Sequence, residues 1–389
     1  MTDSYSMPVF PEPEFRWKRA REKFFGDHQR PTGMVRDTVI QSWERCLGNG
    51  RSTEESVAPP VVPDNELKNA LRRSRRLIEA AAPELDKLEL ALAGTGCCVS
   101  LLNSVGIIVR SSPEQMTTGH VIRQLARLGV DMSEGAIGTS APGIAMKTGH
   151  AALVEGGEHF FNGQGSMRCA AAPICDAQGN LAGVLNLAIE FHPFGFDPGA
   201  IVGMYAGVIE NRLLKAQPMD NLLLEFQIAP ALIGTGLEGL AGIRPDGTVA
   251  WLNGVGAQLV APQQTRHLSV ESAFGLTMAD LRSHCSERGR IETAHRLPNG
   301  LLVFFVVSDC SRAEQSGAVN DSRESPLNGT EIPSIVSSLP QSSSDRLAAK
   351  ERSLILEALQ ASNGNVSCAA RRLGISRGRI YRALHGTAR

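Results

Sequence analysis

Several features that define other classes of protein are missing from this sequence of 389 residues. No apolar run approaches the roughly 18 residues that a membrane-spanning helix needs, which excludes insertion into a bilayer. The N-terminus, MTDSYSMPVFPEPEF, has neither the charged nor the apolar region of a secretory signal, so we expect a cytoplasmic chain whose eight cysteines are thiols. No C-x-x-C or H-x-x-x-H pair accompanies these cysteines, and we therefore expect neither a metal nor a cofactor.

Acidic residues are absent after Glu357, and this absence makes the end of the chain basic. Residues 345–389 carry nine Lys or Arg against three Asp or Glu, whereas the first 344 residues carry 30 against 37. A basic terminal module on an acidic body suits a polyanionic partner, of which nucleic acid is the first candidate. A solvated basic helix end is the simpler alternative.

The basic segment is predicted to form three helices. Apolar residues fall on one stripe between Arg346 and Gln360, and Gly364 supplies a stop. The second helix is predicted from the i, i+3, i+4 and i+7 spacing of Val366, Ala369, Ala370 and Leu373. It ends at Gly374, and Ser376 can cap a third helix. Two short helices joined by a glycine-containing turn make a helix-turn-helix, whose second helix can enter the major groove of DNA.

Arginine dominates the predicted reading helix. Arg377 and Arg379 stand near its N-terminus, where forked guanidinium groups reach guanine O6 and N7 or phosphate oxygens. Arg371, Arg372 and Arg382 are assigned to backbone phosphates. The full set of predicted DNA contacts is Arg371, Arg372, Ser376, Arg377, Gly378, Arg379, Tyr381 and Arg382. A three-helix module that docks on another protein is the alternative.

The segment GNVSCAARRLGISRGRIYRAL, at 364–384, resembles the Fis-type helix-turn-helix that ends many bacterial enhancer-binding regulators. The resemblance rests on the Gly-Asn turn, the Ala-Ala-Arg-Arg-Leu-Gly-Ile helix and turn, and the Ser-Arg start of the reading helix. It implies an all-α domain at 345–389 that binds palindromic double-stranded DNA as a homodimer.

Residues 65–216 show the alternation of an α+β domain, which follows an N-terminal helical or extended segment at 1–64. A long amphipathic stretch at 65–94 precedes two strand-like runs, CCVSLLNS and GIIVRSS. Further along, RCAAAPICDAQGNLAGVLNLAIE predicts two strands joined by a turn at 176–180. A closing helix is predicted from about Asp197 to Leu214.

This region, with the residues before it, resembles the GAF sensor domain of regulators like the acetoin-catabolism activators. The matching pieces are SWERC at 42–46, Ser-Glu at 133–134 with Gly-Thr at 138–139, EHF at 158–160 and CAAAPI at 169–174. The resemblance implies a pocket for a small-molecule effector, with an apolar lining and a few orienting polar groups. The predicted effector contacts are Trp43, Thr139, Ser140, His159, Phe160 and Cys169. The family usually has Asn where this chain has Ser140.

Three of these residues have structural alternatives. His159 can titrate or bond an effector carbonyl or carboxylate, or it can be satisfied by Glu158 and the backbone. Cys169 can be a small buried hydrophobe, and Trp43 can cover the pocket or fix the N-terminal helix to the domain. A GAF-type methionine sulfoxide reductase also uses cysteines and is the enzymatic alternative, although it leaves the DNA-reading segment unexplained.

Residues 221–310 contain two hairpin patterns, GLAGIRPDGTVAWLNGVGAQLV and HRLPNGLLVFFVV, each with a D-G or N-G turn between strand-like runs. The first is similar to the opening hairpin of PAS domains. Ten of the 34 residues at 311–344 are Ser, which predicts a flexible tether. The predicted fold class is therefore α+β, with a GAF sensor domain (65–216), a small PAS-like α+β module (221–310), a linker (311–344) and a C-terminal all-α Fis-type helix-turn-helix (345–389).

The sequence also lacks the G-x-x-x-x-G-K-[ST] phosphate loop of the ATPase that enhancer-binding relatives carry, and it has no Gly-Lys dipeptide. We therefore expect a non-enzymatic, effector-responsive transcription factor that does not hydrolyse ATP. Its expected partners are DNA, a small-molecule effector, RNA polymerase and a second copy of the chain. The alternatives are a thiol oxidoreductase and an accessory subunit of a full-length sigma-54 ATPase regulator.

Overall fold

The computed structural model describes residues 13–56, 60–112, 119–217, 222–260, 268–285 and 292–309. All of them lie in one compact unit, Met1–Asp321. The predicted linker at 311–344 and the predicted helix-turn-helix at 345–389, with its eight expected DNA contacts, lie outside the described residues.

An antiparallel five-stranded sheet forms the first module. Its strands are β1 (Cys98–Asn103), β2 (Ile108–Ser111), β3 (Ala152–Glu155), β4 (Met167–Cys175) and β5 (Leu181–Glu190). They lie in the order β2-β1-β5-β4-β3. The predicted strands are confirmed, and so is the hairpin turn, in which Asp176 N–H donates to Asn180 O at 2.8 Å. The register places Asn186 of β5 between Ser100 of β1 and Ala171 of β4.

Helices cover both faces of this sheet. They are α1 (Pro13–Arg21), α2 (Asp37–Gly48), α3 (Asp64–Arg73), α4 (Arg75–Leu92), α5 (His120–Leu125), α6 (Glu134–Ile137), α7 (Ala141–Thr148) and α8 (Pro198–Lys215). Helices α1, α2, α5, α6 and α7 pack on one face, and α3, α4 and α8 pack on the other. Because side chains alternate along a strand, Val184 and Ala188 of β5 meet the first layer and Leu185 and Leu187 meet the second.

Two helix predictions have different outcomes. The amphipathic stretch at 65–94 forms two helices, because Ser74, with φ −90° and ψ 7°, separates α3 from α4. The closing helix is confirmed as α8. Asp197 caps it by accepting from the N–H groups of Gly199 at 2.9 Å and Ala200 at 3.1 Å.

A second antiparallel sheet follows. Its strands are β6 (Leu222–Gln227), β7 (Gly239–Ile243), β8 (Val249–Leu252), β9 (Thr293–Arg296) and β10 (Leu302–Asp309), in the order β8-β7-β6-β10-β9. Its helices are α9 (Gly254–Val260), α10 (Val270–Phe274) and α11 (Met278–His284). Both predicted hairpins form, with the turn glycines Gly247 at φ +83° and Gly300 at φ +89°. The chain therefore has a mixed α/β fold with two antiparallel sheets, and the GAF and PAS assignments stay predictions.

Helix α8 contacts both modules. The carboxylate of Glu210 accepts from Cys175 N–H at the end of β4, at 2.8 Å, and from Gly254 N–H at the start of α9, at 3.4 Å. Further contacts with the second module run from Lys215 Nζ to Glu225 at 2.5 Å and Glu238 at 2.8 Å. The junction between the modules thus combines hydrogen bonds and ion pairs with the buried apolar cluster of Leu214, Leu223, Leu240 and Trp251.

None of the helices in the described ranges has both the length and the apolar character needed to cross a bilayer. Within the same part of the chain, no group of three or more His, Cys, Asp or Glu side chains is placed to hold a metal ion.

Candidate functional site

The six predicted effector contacts are all buried in the first module. Trp43 lies on α2, and Cys169 lies on β4. Thr139 and Ser140 precede α7, whereas His159 and Phe160 follow the 3₁₀ turn Gly156–Glu158. The structure therefore gathers four separate sequence segments on one face of the first sheet.

Thr139 and Ser140 are held by hydrogen bonds within the protein. Ser42 Oγ donates to Glu134 at 2.6 Å and lies 2.8 Å from Thr139 Oγ1, so the Thr139 hydroxyl donates to Ser42. Arg45 binds the same Glu134 carboxylate through two nitrogens, at 2.6 and 2.7 Å. The Ser140 hydroxyl caps α7. These contacts join the SWERC segment of α2 to the Ser-Glu and Gly-Thr segments.

Trp43 and Phe160 belong to an aromatic cluster. The ring of Phe25 lies 5.0 Å from that of Trp43 and 5.7 Å from that of Phe160, measured between centroids. Trp43 Nε1 donates to the carbonyl of Glu158 at 2.8 Å. The indole N–H of Trp43 is therefore committed to fixing α2 against the 3₁₀ turn.

Cys169 lies on the sheet face below this cluster and is 1% exposed. Burial raises the pKa of Cys169 to about 12, and burial likewise raises the pKa of Cys98 on β1 to about 11. Both thiols are therefore protonated at neutral pH. Nucleophilic sulfur chemistry requires the thiolate, so this environment disfavours it.

His159 differs from the other five because one of its nitrogen atoms has no hydrogen-bond partner among the described residues. Its Nδ1 lies 3.0 Å from the carbonyl of Gly156, and since a carbonyl only accepts, Nδ1 carries the proton. Burial lowers the pKa of His159 to about 4, so the ring is neutral and Nε2 is an acceptor. Among the described residues, no donor reaches that Nε2.

A cavity of about 290 Å³ lies between α1 and the segment that carries His159. We call it the α1 cavity. Its lining from α1 comprises Glu14, Trp17, Lys18 and Arg21, and its opposite wall includes Gly156, His159, Phe161 and Asn162. Of the six predicted effector contacts, His159 lines this cavity.

Trp17 and Arg21 are among the lining residues that the predicted set lacks. Arg21 donates to the carbonyls of Gly157 at 3.2 Å, His159 at 2.6 Å and Phe160 at 3.0 Å, and it thereby attaches α1 to the loop. The helical spacing of Trp17, Ala20 and Phe24 is the signal that indicates an apolar stripe running from α1 into the turn Glu22–Gly26. The basic residues around that stripe make α1 resemble a solvated helix.

Two family matches cover separate parts of the chain. Residues 15–194 match the family described as MimR, N-terminal domain, and residues 346–385 match the Fis family of bacterial regulatory proteins. The first match begins in α1 and extends past β5, so it includes both N-terminal helices. The second match confirms the predicted Fis-type helix-turn-helix.

The chain is also similar to regulators of catabolic operons. It is 28% identical over 227 residues to the acetoin catabolism regulatory protein of Cupriavidus necator, which covers 57% of this chain and 34% of that protein. It is 29% identical over 178 residues to the propane 2-monooxygenase operon transcriptional activator MimR of Mycolicibacterium smegmatis, covering 44% of this chain and 28% of that one. Among solved structures, the E. coli DhaR(N)-DhaL complex is similar at 16% identity and a TM-score of 0.44, covering 70% of this chain and 99% of that one.

The chain spans about a third of the length of the curated relatives it matches. Together, the matches confirm the Fis-type helix-turn-helix at the end of the chain and show similarity to transcription regulators of catabolic operons.

Proposed function

We propose that this chain regulates a catabolic operon by binding DNA through residues 345–389, under the control of a small metabolite bound in the first module. The pairing of the MimR N-terminal match at 15–194 with the Fis match at 346–385 in one chain carries this proposal. The relatives named above belong to acetoin catabolism and to a propane 2-monooxygenase operon, which supports a small carbon metabolite as the effector.

The proposed regulator acts without hydrolysing ATP. No phosphate-loop motif and no Gly-Lys dipeptide occur in the sequence, so the lysine that cradles the β- and γ-phosphates is missing. Regulation then consists of occupying a palindromic operator as a homodimer, which blocks or recruits RNA polymerase. An ATPase assay with operator DNA present is expected to show no turnover above background.

The effector acts by changing an equilibrium between two arrangements of the dimer. A ligand shifts such an equilibrium only by its difference in affinity for the two states. The expected observation is an operator affinity that changes when the correct metabolite is added. An operator affinity that stays constant with every candidate metabolite contradicts the proposal that the first module binds an effector.

The DNA-binding half is tested by isolating the genomic fragments that the purified chain retains and then comparing two arginine variants. Arg379→Ala is expected to weaken binding to the retained sequence by about 1–3 kcal/mol, because a base contact is lost. Arg371→Ala, the matched control, is expected to weaken all sequences alike and to reduce the salt dependence. A chain that prefers no double-stranded fragment at modest ionic strength contradicts the proposal.

A further inference from the structure

A basic patch lies on the surface of the first module, where α3 meets α4. Within the nine residues 68–76 it carries Lys68, Arg72, Arg73, Arg75 and Arg76 and no acidic residue. All five of these residues are exposed. The other 335 residues of 1–344 carry 25 Lys or Arg against 37 Asp or Glu, so this α3–α4 patch is a local excess of positive charge on an acidic body.

The packing of α3 and α4 holds the α3–α4 patch in place. Ala70, Ser74, Leu77 and Ala81 are buried, and the three apolar residues among them belong to the core layer that covers the first sheet. Their spacing of i, i+4, i+7 and i+11 is that of one helical stripe, so the basic residues between them occupy the outer sides of the helices. The patch is therefore presented to solvent by a rigid support.

The basic side chains of the patch repel one another. Arg72 is three residues from Arg75 and four from Arg76, and like charges at these spacings destabilise a helix. Arg75 is paired with Glu79 at 2.7 Å. Within the part of the chain that the structure describes, the guanidinium groups of Arg73 and Arg76 make no ion pair and no hydrogen bond. A repulsive cluster with so little internal counter-charge indicates an anionic partner outside the chain.

The chemistry of the patch suits the phosphate groups of a duplex. Four of its five basic residues are arginine, whose planar guanidinium group binds phosphate oxygens through two N–H groups. The patch is about 12 Å long, and double-stranded DNA carries about seven phosphate charges over that length. DNA is the polyanion that the Fis match at 346–385 brings to this chain. We propose that the α3–α4 patch binds the phosphate backbone of double-stranded DNA beside the operator, which gives the first module DNA contacts that do not depend on sequence.

The length of chain between the two DNA contacts permits this arrangement. Asp309 ends β10 and Asp345 begins the predicted DNA-binding segment, and a chain of 36 residues spans at most about 120 Å. A module linked in this way meets the flanking DNA at high local concentration, so a few phosphate contacts are enough to add measurable affinity. The inference rests on the proposed function, because residues 345–389 must first bring the chain to the operator.

The test measures the affinity of the full chain for two fluorescent duplexes by anisotropy at several salt concentrations. One duplex holds only the operator recovered from the genomic fragments that the chain retains, and the other adds about 30 base pairs, or roughly 100 Å, on each side. The unchanged protein is expected to bind the longer duplex at least tenfold more tightly at about 0.1 M salt, with a steeper salt dependence. A different flanking sequence of the same length is expected to give the same affinity, because every sequence presents the same phosphates.

Paired substitutions identify the patch as the source of this gain. Arg73→Gln with Arg76→Gln removes two cations and keeps residues that favour a helix. We expect this variant to bind the longer duplex about tenfold more weakly and with a salt slope lower by about 2, and to bind the short operator as the unchanged protein does. Arg73→Lys with Arg76→Lys keeps the charges and is expected to keep most of the slope. Arg244→Gln with Arg296→Gln removes the same charge from exposed residues of the second module and is the matched control.

Equal salt slopes in the unchanged protein and the Arg73/Arg76 glutamine variant overturn the proposal and leave the patch to another anionic partner, such as an acidic protein surface. Equal losses in the second-module control also overturn it, because net charge alone then explains the effect. If the operator is bound and the glutamine variant keeps the full gain from the longer duplex, this inference fails and the proposed function stands. If Arg379→Ala abolishes the preference for the operator while length-dependent binding persists until the patch is changed, the patch contact is supported. A chain that binds no duplex overturns both.

Discussion

Asn186 and Asn253 are both buried asparagines, one in each module, and their amides have different surroundings. The Asn253 oxygen accepts from the N–H groups of Leu240 at 2.9 Å and Gly256 at 2.7 Å. Its nitrogen donates to Asn211 Oδ1 and to the carbonyl of Glu238, both at 2.8 Å. Asn186 donates to Ser100 Oγ at 3.1 Å, and its oxygen has no partner among the described residues.

The same difference extends to the two modules as a whole. The four buried side-chain atoms that lack a partner in the described ranges belong to Trp17, His159, Gln164 and Asn186, and all lie in the first module. Unpaired buried polar groups are costly, so proteins keep them where they serve a purpose. Within the described ranges, the first module therefore has unused hydrogen-bonding capacity, whereas the buried polar side chains of the second module and of its junction with α8 are paired.

The same substitution in both modules tests whether their interiors differ. Asn253→Leu leaves two N–H groups and two oxygens unpaired in the interior, and we expect it to lower the free energy of unfolding by about 3 kcal/mol or more. Asn186→Leu removes one hydrogen bond, to Ser100 Oγ, together with an oxygen that has no partner among the described residues, and is expected to cost about 1 kcal/mol. Urea denaturation of both variants provides the measurement. Equal losses mean that the two interiors do not differ in the way described.

Gly156 and Gly242 provide a second matched pair, because each faces a tryptophan ring. A Cβ on Gly156 collides with the six-membered ring of Trp17, and a Cβ on Gly242 collides with the indole of Trp251. Gly156 also has φ +51°, which L side chains rarely adopt. We expect Gly156→Ala to cost about 3 kcal/mol and Gly242→Ala about 2 kcal/mol.

Urea denaturation of the two variants measures both losses. A smaller loss for Gly156→Ala than for Gly242→Ala contradicts the expected order.

Lys215, at the end of α8, joins this helix to the second module. Lys215→Ala removes the ammonium group that pairs with Glu225 and with Glu238, whose side chain is 2% exposed. We expect a loss of about 2 kcal/mol, because a buried carboxylate is left without its cation. Lys87 pairs with Glu84 from a side chain that is 63% exposed, and Arg212 also pairs with that carboxylate, at 3.5 Å, so Lys87→Ala is expected to cost less than about 0.5 kcal/mol. Thermal unfolding by calorimetry measures both, and similar melting temperatures argue against a structural role for the junction.

The smallest expected effect concerns pH. Burial raises the pKa of Glu158 from 4.5 to about 7, although Arg36 opposes the shift, and burial lowers the pKa of His159 from 6.5 to about 4. A raised carboxyl pKa makes the folded state bind a proton that the unfolded state has released, so this contribution to stability is lost as pH rises from about 4.5 to 7. A lowered histidine pKa acts in the opposite sense, so its contribution is present above about pH 6.5 and is lost as pH falls toward 4.

The pH-dependent contributions of Glu158 and His159 to stability therefore offset each other between about pH 4.5 and 6.5. We expect the stability of Glu158→Gln to rise with pH in this window and that of His159→Gln to fall, each by about 1 kcal/mol relative to the unchanged protein. Denaturation at two pH values measures the slopes. Parallel slopes in all three proteins contradict the opposed shifts.

Local sequence patterns predicted much of the fold. Apolar runs between Asp, Asn and Gly turns gave β1, β2, β4, β5 and both hairpins of the second sheet, because strand pairing across a short turn depends on adjacent residues. Helix α8 followed from its own periodicity and cap. The break at Ser74 was missed, since the apolar stripe continues through it.

The candidate site was predicted less completely. His159 was found because its residue type stands out, but the partners that define its cavity are far away in sequence. Arg21 and His159 are 138 residues apart, and no periodicity reports a contact of that range. The hydrogen bonds of Thr139 and Ser42, across 97 residues, were hidden for the same reason.

Glu210 of α8 connects the two modules. Its single carboxylate holds the last residue of β4 and the first residue of α9, so the two backbones share one anchor on a helix about 27 Å long. Sliding of β4 along α8 changes the bond to Gly254 at the same time. A disturbance in the first sheet therefore reaches the second through one side chain.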